Sequence, residues 1–193
     1  MSEYPPAYDC MIRHEVRAYG TPQQVSWCDV PGDAGGETNW GWSSSTIRRL
    51  GLKPRDLGID QDDFAPGCLK QMTEDAARSL YLAHFWQPLP YAQIDCQEVA
   101  SKLFDFAVNA GPIAAGRLAQ RALCDLGVDV AIDGVLGPHT VDALNGSDSQ
   151  QVLAALCDRQ AAYYRALIAE HPQYEQFRAG WLARAAWNRP AAP

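Results

Sequence analysis

Residues 97–127, "QEVASKLFDFAVNAGPIAAGRLAQRALCDLG", carry two successive apolar stripes at helical spacing. In the first, Val99, Leu103, Phe106, Ala107 and Ala110 share one face, and Gly111-Pro112 ends the run. In the second, Ala115, Leu118, Ala119, Ala122, Leu123 and Leu126 recur at i, i+3, i+4, i+7, i+8 and i+11, with Gly127 as the stop. Most of the surrounding chain repeats this pattern. Upstream, Thr73 caps a helix whose Glu74 and Asp75 suit the positive end of its dipole, and which runs to about His84 or Trp86 before "QPLP". Downstream, Pro138 opens a short helix closed by Gly146. A longer helix over Ser149 to Glu170 carries Leu153, Leu156, Gln160, Tyr164 and Leu167 on one stripe before His171-Pro172. A final helix is expected from about Tyr174 to Trp187, with Phe177, Trp181 and Ala185 on one side. Helix signals vanish only over residues 17–42, so the class is mainly α: a helical bundle with one small irregular or β-hairpin lobe near 17–42. Near residues 87–97, "QPLPYAQIDCQ" reads as a helical hairpin joining two halves, 8–95 and 96–187, of a single unit spanning 8–187.

Composition narrows the function. The 193 residues are 47% hydrophobic, enough for a sizeable core, yet no apolar run approaches the ~18 residues of a membrane-spanning helix. "MSEYPPAYDC" has neither the basic nor the apolar region of a signal peptide, so the expectation is a soluble monomer made in the cytoplasm and released by another route. A net charge of −7, spread along the chain, excludes the dense basic footprint that nucleic acid requires. Six cysteines without a C-x-x-C pair and four scattered histidines argue against zinc, and the thiols read as mostly reduced and buried. No G-x-S-x-G elbow, P-loop or G-x-G-x-x-G is present. Neither a metal nor a cofactor is expected.

The chemistry concentrates near the N-terminus. "PGDAGGETNWGW", residues 31–42, holds four glycines, two tryptophans and two carboxylates. Gly32, Gly35 and Gly36 permit close backbone approach to another molecule, and Thr38 and Asn39 add a hydroxyl and an amide. Trp40 and Trp42 offer flat faces of the kind that hold sugars, while Asp29, Asp33 and Glu37 supply acceptors; a Gly-rich turn pinned by two buried tryptophans is the competing reading. Glu15, in "CMIRHEV", sits beside Met11, Ile12 and Val16 on a short apolar helix. A carboxyl there loses solvation, which favours the protonated form wanted of a general acid; a surface glutamate on a first helix is the plainer alternative. One acid on a helix and another on a hairpin match the paired carboxylates of a glycosidase.

These segments resemble glycoside hydrolase family 108. "RHEV…DVPGDAGGETNWGWSSSTI" is similar to that family's N-terminal motif, E-G-G-Y followed by D-P-G-G-x-T-N-x-G-I-T. "FWQPLP", "LFDFAVNAGPIAAGRLAQRAL", "DGVLGPHTVDALN" and "YYRAL…FRAGWLAR" resemble its C-terminal half, a predicted peptidoglycan-binding region. The resemblance runs from about residue 8 to 187. It implies a lysozyme-like fold and N-acetylmuramidase activity, with Glu15 as general acid and Asp33 and Thr38 holding a water. Glu37, Asn39, Trp40, Trp42 and, after the first helix quoted above, Asn109 are the candidate substrate contacts. Departures are Val16-Arg17 in place of two glycines, Ala34 in place of proline, and extra residues including Trp27 and Cys28.

The partner implied is the peptidoglycan glycan strand, cut between N-acetylmuramic acid and N-acetylglucosamine with inversion. A holin-type release, as for a phage endolysin, would bring the enzyme to the wall; a secretion-associated or delivered protein is a further setting. Two rival functions stand beside this one: a lytic transglycosylase using Glu15 alone, and a non-catalytic peptidoglycan-binding or secretion-assisting protein. "DGVLGPHT" divides similarly between a binding signature and an ordinary turn that starts a helix.

Overall fold

A computed structural model describes residues 1–17, 27–29 and 36–190. It divides into two compact units, one formed by Met1–Met11 with Phe85–Pro193 and the other by Ile12–His84. None of the described helices is long and apolar enough to cross a membrane.

The larger unit is built around α4, Gln97–Ala110, in which every residue from Val99 to Ala107 is buried. α5 (Pro112–Asp125), α7 (Ser149–Glu170) and α8 (Arg178–Ala186) follow, with α6 (Pro138–Asn145) between α5 and α7. α4 packs on α5 and α7, and α7 on α5 and α8. Of the stripes expected from sequence, Val99, Leu103, Phe106 and Ala107 of α4 and Ala115, Leu118, Ala119, Ala122 and Leu123 of α5 are buried, while Ala110 and Leu126 at the helix ends are half-buried. The first residues of α1 (Tyr4–Arg17) also belong here, with Ala7, Tyr8 and Met11 fully buried. Tyr4, Trp86, Tyr91 and Phe104 form an aromatic cluster, with ring centroids 5.3–5.9 Å apart in the contacts Tyr4–Trp86, Tyr4–Phe104, Trp86–Tyr91, Trp86–Phe104 and Tyr91–Phe104.

A helix buried on all sides has to satisfy its polar residues internally. Lys102 of α4 is fully buried and donates from Nζ to the carbonyls of Arg184, Ala185 and Trp187 at 3.1, 2.6 and 3.1 Å, closing the C-terminal end of α8. Burial holds its pKa below the usual lysine value, with Cys157 and Asp105 pulling it back up. Asp105, one turn on, receives Arg184 through Nε and Nη2, both at 2.9 Å. Asp105→Ala would remove the carboxylate that pairs with the Arg184 guanidinium in the core. The expected loss is about 3–5 kcal/mol, read as a lower urea midpoint with an unchanged slope.

"DGVLGPHT" is a turn seated on α5. Gly134 takes φ +85°, and a β-carbon on Gly116 would lie 2.1 Å from the Gly134 carbonyl oxygen, so the two backbones touch where no side chain fits. Gln120 of α5 accepts from the Gly134 amide at 2.8 Å and donates to Asp133 and to the Val135 carbonyl at 2.7 and 3.0 Å. Asp133 also accepts from the Val135 amide at 2.8 Å, and these two donors hold its carboxyl below the usual range.

Two expectations are corrected. Residues 87–97 form no helical hairpin, because Pro88 and Pro90 break helical bonding and leave only a 3₁₀ turn over Pro90–Gln93. The last helix begins at Arg178 rather than near Tyr174, since Pro172 opens a 3₁₀ segment over Pro172–Phe177 in which the Tyr174 amide bonds back to His171. None of the six cysteines forms a disulfide.

The smaller unit holds the end of α1, a three-stranded antiparallel sheet, α2 (Ser44–Arg49) and α3 (Glu74–Tyr81). Its strands are minimal: β1 Trp27–Cys28, β2 Thr38–Asn39 and β3 Trp42–Ser43, paired Trp27 to Asn39, Thr38 to Ser43 and Asn39 to Trp42. Ser43 caps α2 by accepting the Thr46 amide, and Thr73 caps α3 by accepting that of Ala76. α3 runs on into a π turn at Leu82–Trp86.

Candidate active site

The hairpin β2–β3 turns on two residues, Trp40 and Gly41, with φ of +50° and +79°. Both central residues at positive φ make the tight turn whose twist matches antiparallel strands. A tryptophan in the left-handed region is costly and needs outside support. The support comes from both ends of Trp40: its indole N–H donates to the Met72 carbonyl at 3.2 Å, and its own carbonyl accepts the Tyr81 hydroxyl at 3.2 Å.

Gly41 is where the candidate acid meets the hairpin. A β-carbon there would lie 3.5 and 3.6 Å from Cβ and Cγ of Glu15, ordinary contact distances, and 2.4 Å from the Tyr81 hydroxyl oxygen. The half-buried stem of Glu15 therefore faces the side of the turn that glycine leaves bare, beside the hydroxyl that holds the turn in shape.

Alternation along β2 sorts its neighbours. Glu37 and Asn39 point inward, at 8% and 2% exposure. Asn39 donates its amide to the Leu69 and Met72 carbonyls at 2.6 and 3.3 Å, tying the hairpin to the 3₁₀ turn Cys68–Gln71. Trp42, directly opposite Asn39, is 1% exposed and packs on Tyr81 and His84 at 4.8 and 6.2 Å. Glu37 accepts the Trp27 indole N–H at 3.0 Å, and Lys70 sits over the Trp27 ring at 4.0 Å. Burial, then the Glu37 carboxylate, pushes the Cys68 thiol up, which keeps it unreactive. Thr38 points the other way, half-exposed, with Ser43 and Cys28 as its cross-strand neighbours. Asp29 and Glu37 share a polar recess of about 170 Å³ with Ser44, Arg48 and Phe64. Asp33 lies outside the described residues. Asn109, exposed at the end of α4, accepts the Tyr164 hydroxyl at 2.9 Å within the larger unit.

Residues 24–111 match the family model described as Glycosyl hydrolase 108. Over that stretch the chain is similar to glycoside hydrolase family 108. Residues 114–186 match a second model, described as "Predicted Peptidoglycan domain", in the expected order. Among solved structures, that of Brucella abortus SagA resembles this chain with a TM-score of 0.67 at 23% identity, covering 95% of this chain and 89% of that one. The likeness establishes a lysozyme-like, mainly helical fold. No curated protein matches the sequence. A glycosyl hydrolase match followed by a peptidoglycan-domain match supports peptidoglycan hydrolase activity.

Sequence reasoning passed over three residues at the hairpin. Gly41 was one glycine among four, yet it is the one whose bare side faces Glu15. Tyr81 reads on α3 as a core position, and nothing local shows that its hydroxyl reaches back to Trp40. Trp27 stood out only as an insertion, although an indole beside several acids is itself a signal for a carboxylate partner.

Proposed function

We propose that this enzyme is a muramidase that hydrolyses the β-1,4 bond between N-acetylmuramic acid and N-acetylglucosamine, with Glu15 as general acid. The single observation that carries the assignment is the placement of the Glu15 stem beside the bare side of Gly41 at the hairpin turn. Glu15 precedes the matched span, which begins at residue 24, so its role rests on this placement and on the local motif. Protonated, Glu15 donates to the leaving glycosidic oxygen. Asp33 activates a water on the opposite face of the sugar, with Thr38 orienting it from the open face of β2. Water attack from that side inverts the anomeric centre. Half-exposed Trp40, with its indole N–H already committed to Met72, retains a ring face for the sugar.

A digest of purified peptidoglycan tests the reaction. Mass spectrometry should find muropeptides with free reducing ends, and proton NMR in the first minutes should find the α-anomer. Products ending in 1,6-anhydro-muramic acid would replace the hydrolase with a transglycosylase, and an initial β-anomer would replace inversion with retention.

A further inference from the structure

Between α5 and α7 of the larger unit runs a groove of about 270 Å³ that the hydrolytic chemistry does not use. Its apolar surface comes from Leu118, Ala162 and the edge-to-face pair Phe106–Tyr163, whose ring centroids are 5.2 Å apart. Arg121 and Arg159 stand on its lining, and no carboxylate does among the described residues. Arg159 is held by Asp125 through two parallel bonds, whereas Arg121 is exposed and has no ion pair among the described residues. On a chain of net charge −7, this is a local positive site with an apolar floor.

The chemistry of the groove selects its occupant. A sugar needs acceptors for its hydroxyls, and this lining supplies few. A guanidinium takes a carboxylate through two parallel hydrogen bonds, and small apolar walls take methyl groups. The volume is below that usual for drug-sized ligands, which suits one or two small residues. All but Phe106 of the named residues lie within residues 114–186, the span matched to the peptidoglycan domain. We propose that this groove binds the stem peptide of peptidoglycan, Arg121 pairing with a peptide carboxylate while Phe106, Leu118 and Tyr163 receive alanine methyls. The inference rests on peptidoglycan as the substrate, and it adds that the peptide, rather than the glycan, is what the C-terminal region holds.

Full-length protein provides the test. In an NMR or calorimetric titration with an alanine–glutamate–diaminopimelate tripeptide, wild type should bind saturably, and Arg121→Ala should weaken binding roughly tenfold or more, as for a lost charged hydrogen-bond pair. Arg121→Lys should recover part of the affinity, and Tyr163→Ala should weaken binding without changing its salt dependence. On intact cell walls Arg121→Ala should raise KM at constant kcat. On glycan strands stripped of peptide it should match wild type. Equal tripeptide affinity in wild type and Arg121→Ala, or a wild-type preference of the groove for a peptide-free chitooligosaccharide, overturns the proposal while leaving the muramidase reading intact. Tripeptide binding that depends on Arg121 in a protein that cleaves no glycan sinks the muramidase reading instead and leaves this one standing.

Discussion

Glu15→Gln should fold normally and lose roughly 10²–10⁴-fold in turnover of peptidoglycan, the range expected when a general acid is removed. In barrier height this is about 3–5 kcal/mol. The amide keeps the shape of the carboxyl, so the stem keeps its place beside Gly41 and binding is preserved. kcat and kcat/KM should therefore fall together with KM unchanged, the pattern of an interaction made only in the transition state. Clearing of cell-wall suspensions, with thermal unfolding as the folding control, measures both quantities. An undiminished rate from a folded Glu15→Gln protein would remove this residue from the mechanism.

Gly41→Ala should damage stability and activity for separable reasons. At φ +79° any β-carbon is strained by about 1–2 kcal/mol. The added methyl also meets the Tyr81 hydroxyl oxygen at 2.4 Å, while Tyr81 itself is 2% exposed and cannot swing away. Overpacking of this kind costs about 1–3 kcal/mol more. The methyl is compatible with Glu15 at 3.5 Å, so the acid suffers indirectly, through a displaced turn. A shift of about 1 Å is enough to lower the rate roughly 10²-fold. Tyr81→Phe removes the clashing oxygen. In the double variant, urea unfolding should therefore recover the steric part of the loss and leave the backbone part, giving a favourable coupling between the two sites. Additive losses would show that the hydroxyl and the turn do not press on one another.

Much of the helical architecture was readable in advance. α6 and α7 start and stop where proline, aspartate and glycine punctuate the apolar stripes, because caps and periodicity are local properties. The last helix shows the limit. A 3₁₀ segment and an α-helix differ too little in period over Pro172–Phe177 for side-chain spacing to separate them. At the site, the acids and the β lobe were legible as residue types in a glycine-rich segment. The turn itself was not, since "NWGW" puts a tryptophan where Asn-Gly pairs usually signal a hairpin. Asn39 illustrates the other gap: its amide spans to Leu69 and Met72, thirty and more residues away, and burial over that separation has no local signature.

One continuous helix, α1, has its first residues in the unit that contains Phe85–Pro193, while Glu15 near its other end faces the hairpin. Ribosomes deliver chains from the N-terminus, so the residues that bury Tyr4, Tyr8 and Met11 emerge long after Glu15 does. Closing that long loop is an entropic cost borne late in folding. The start of the helix that carries Glu15 stays unanchored until α4 has been synthesised, and a nascent or truncated chain lacking the C-terminal half leaves that end of the helix without its packing partners. If Glu15 is the acid, activity in this architecture is tied to completion of the polypeptide, because the stretch that matches the hydrolase family begins only at residue 24.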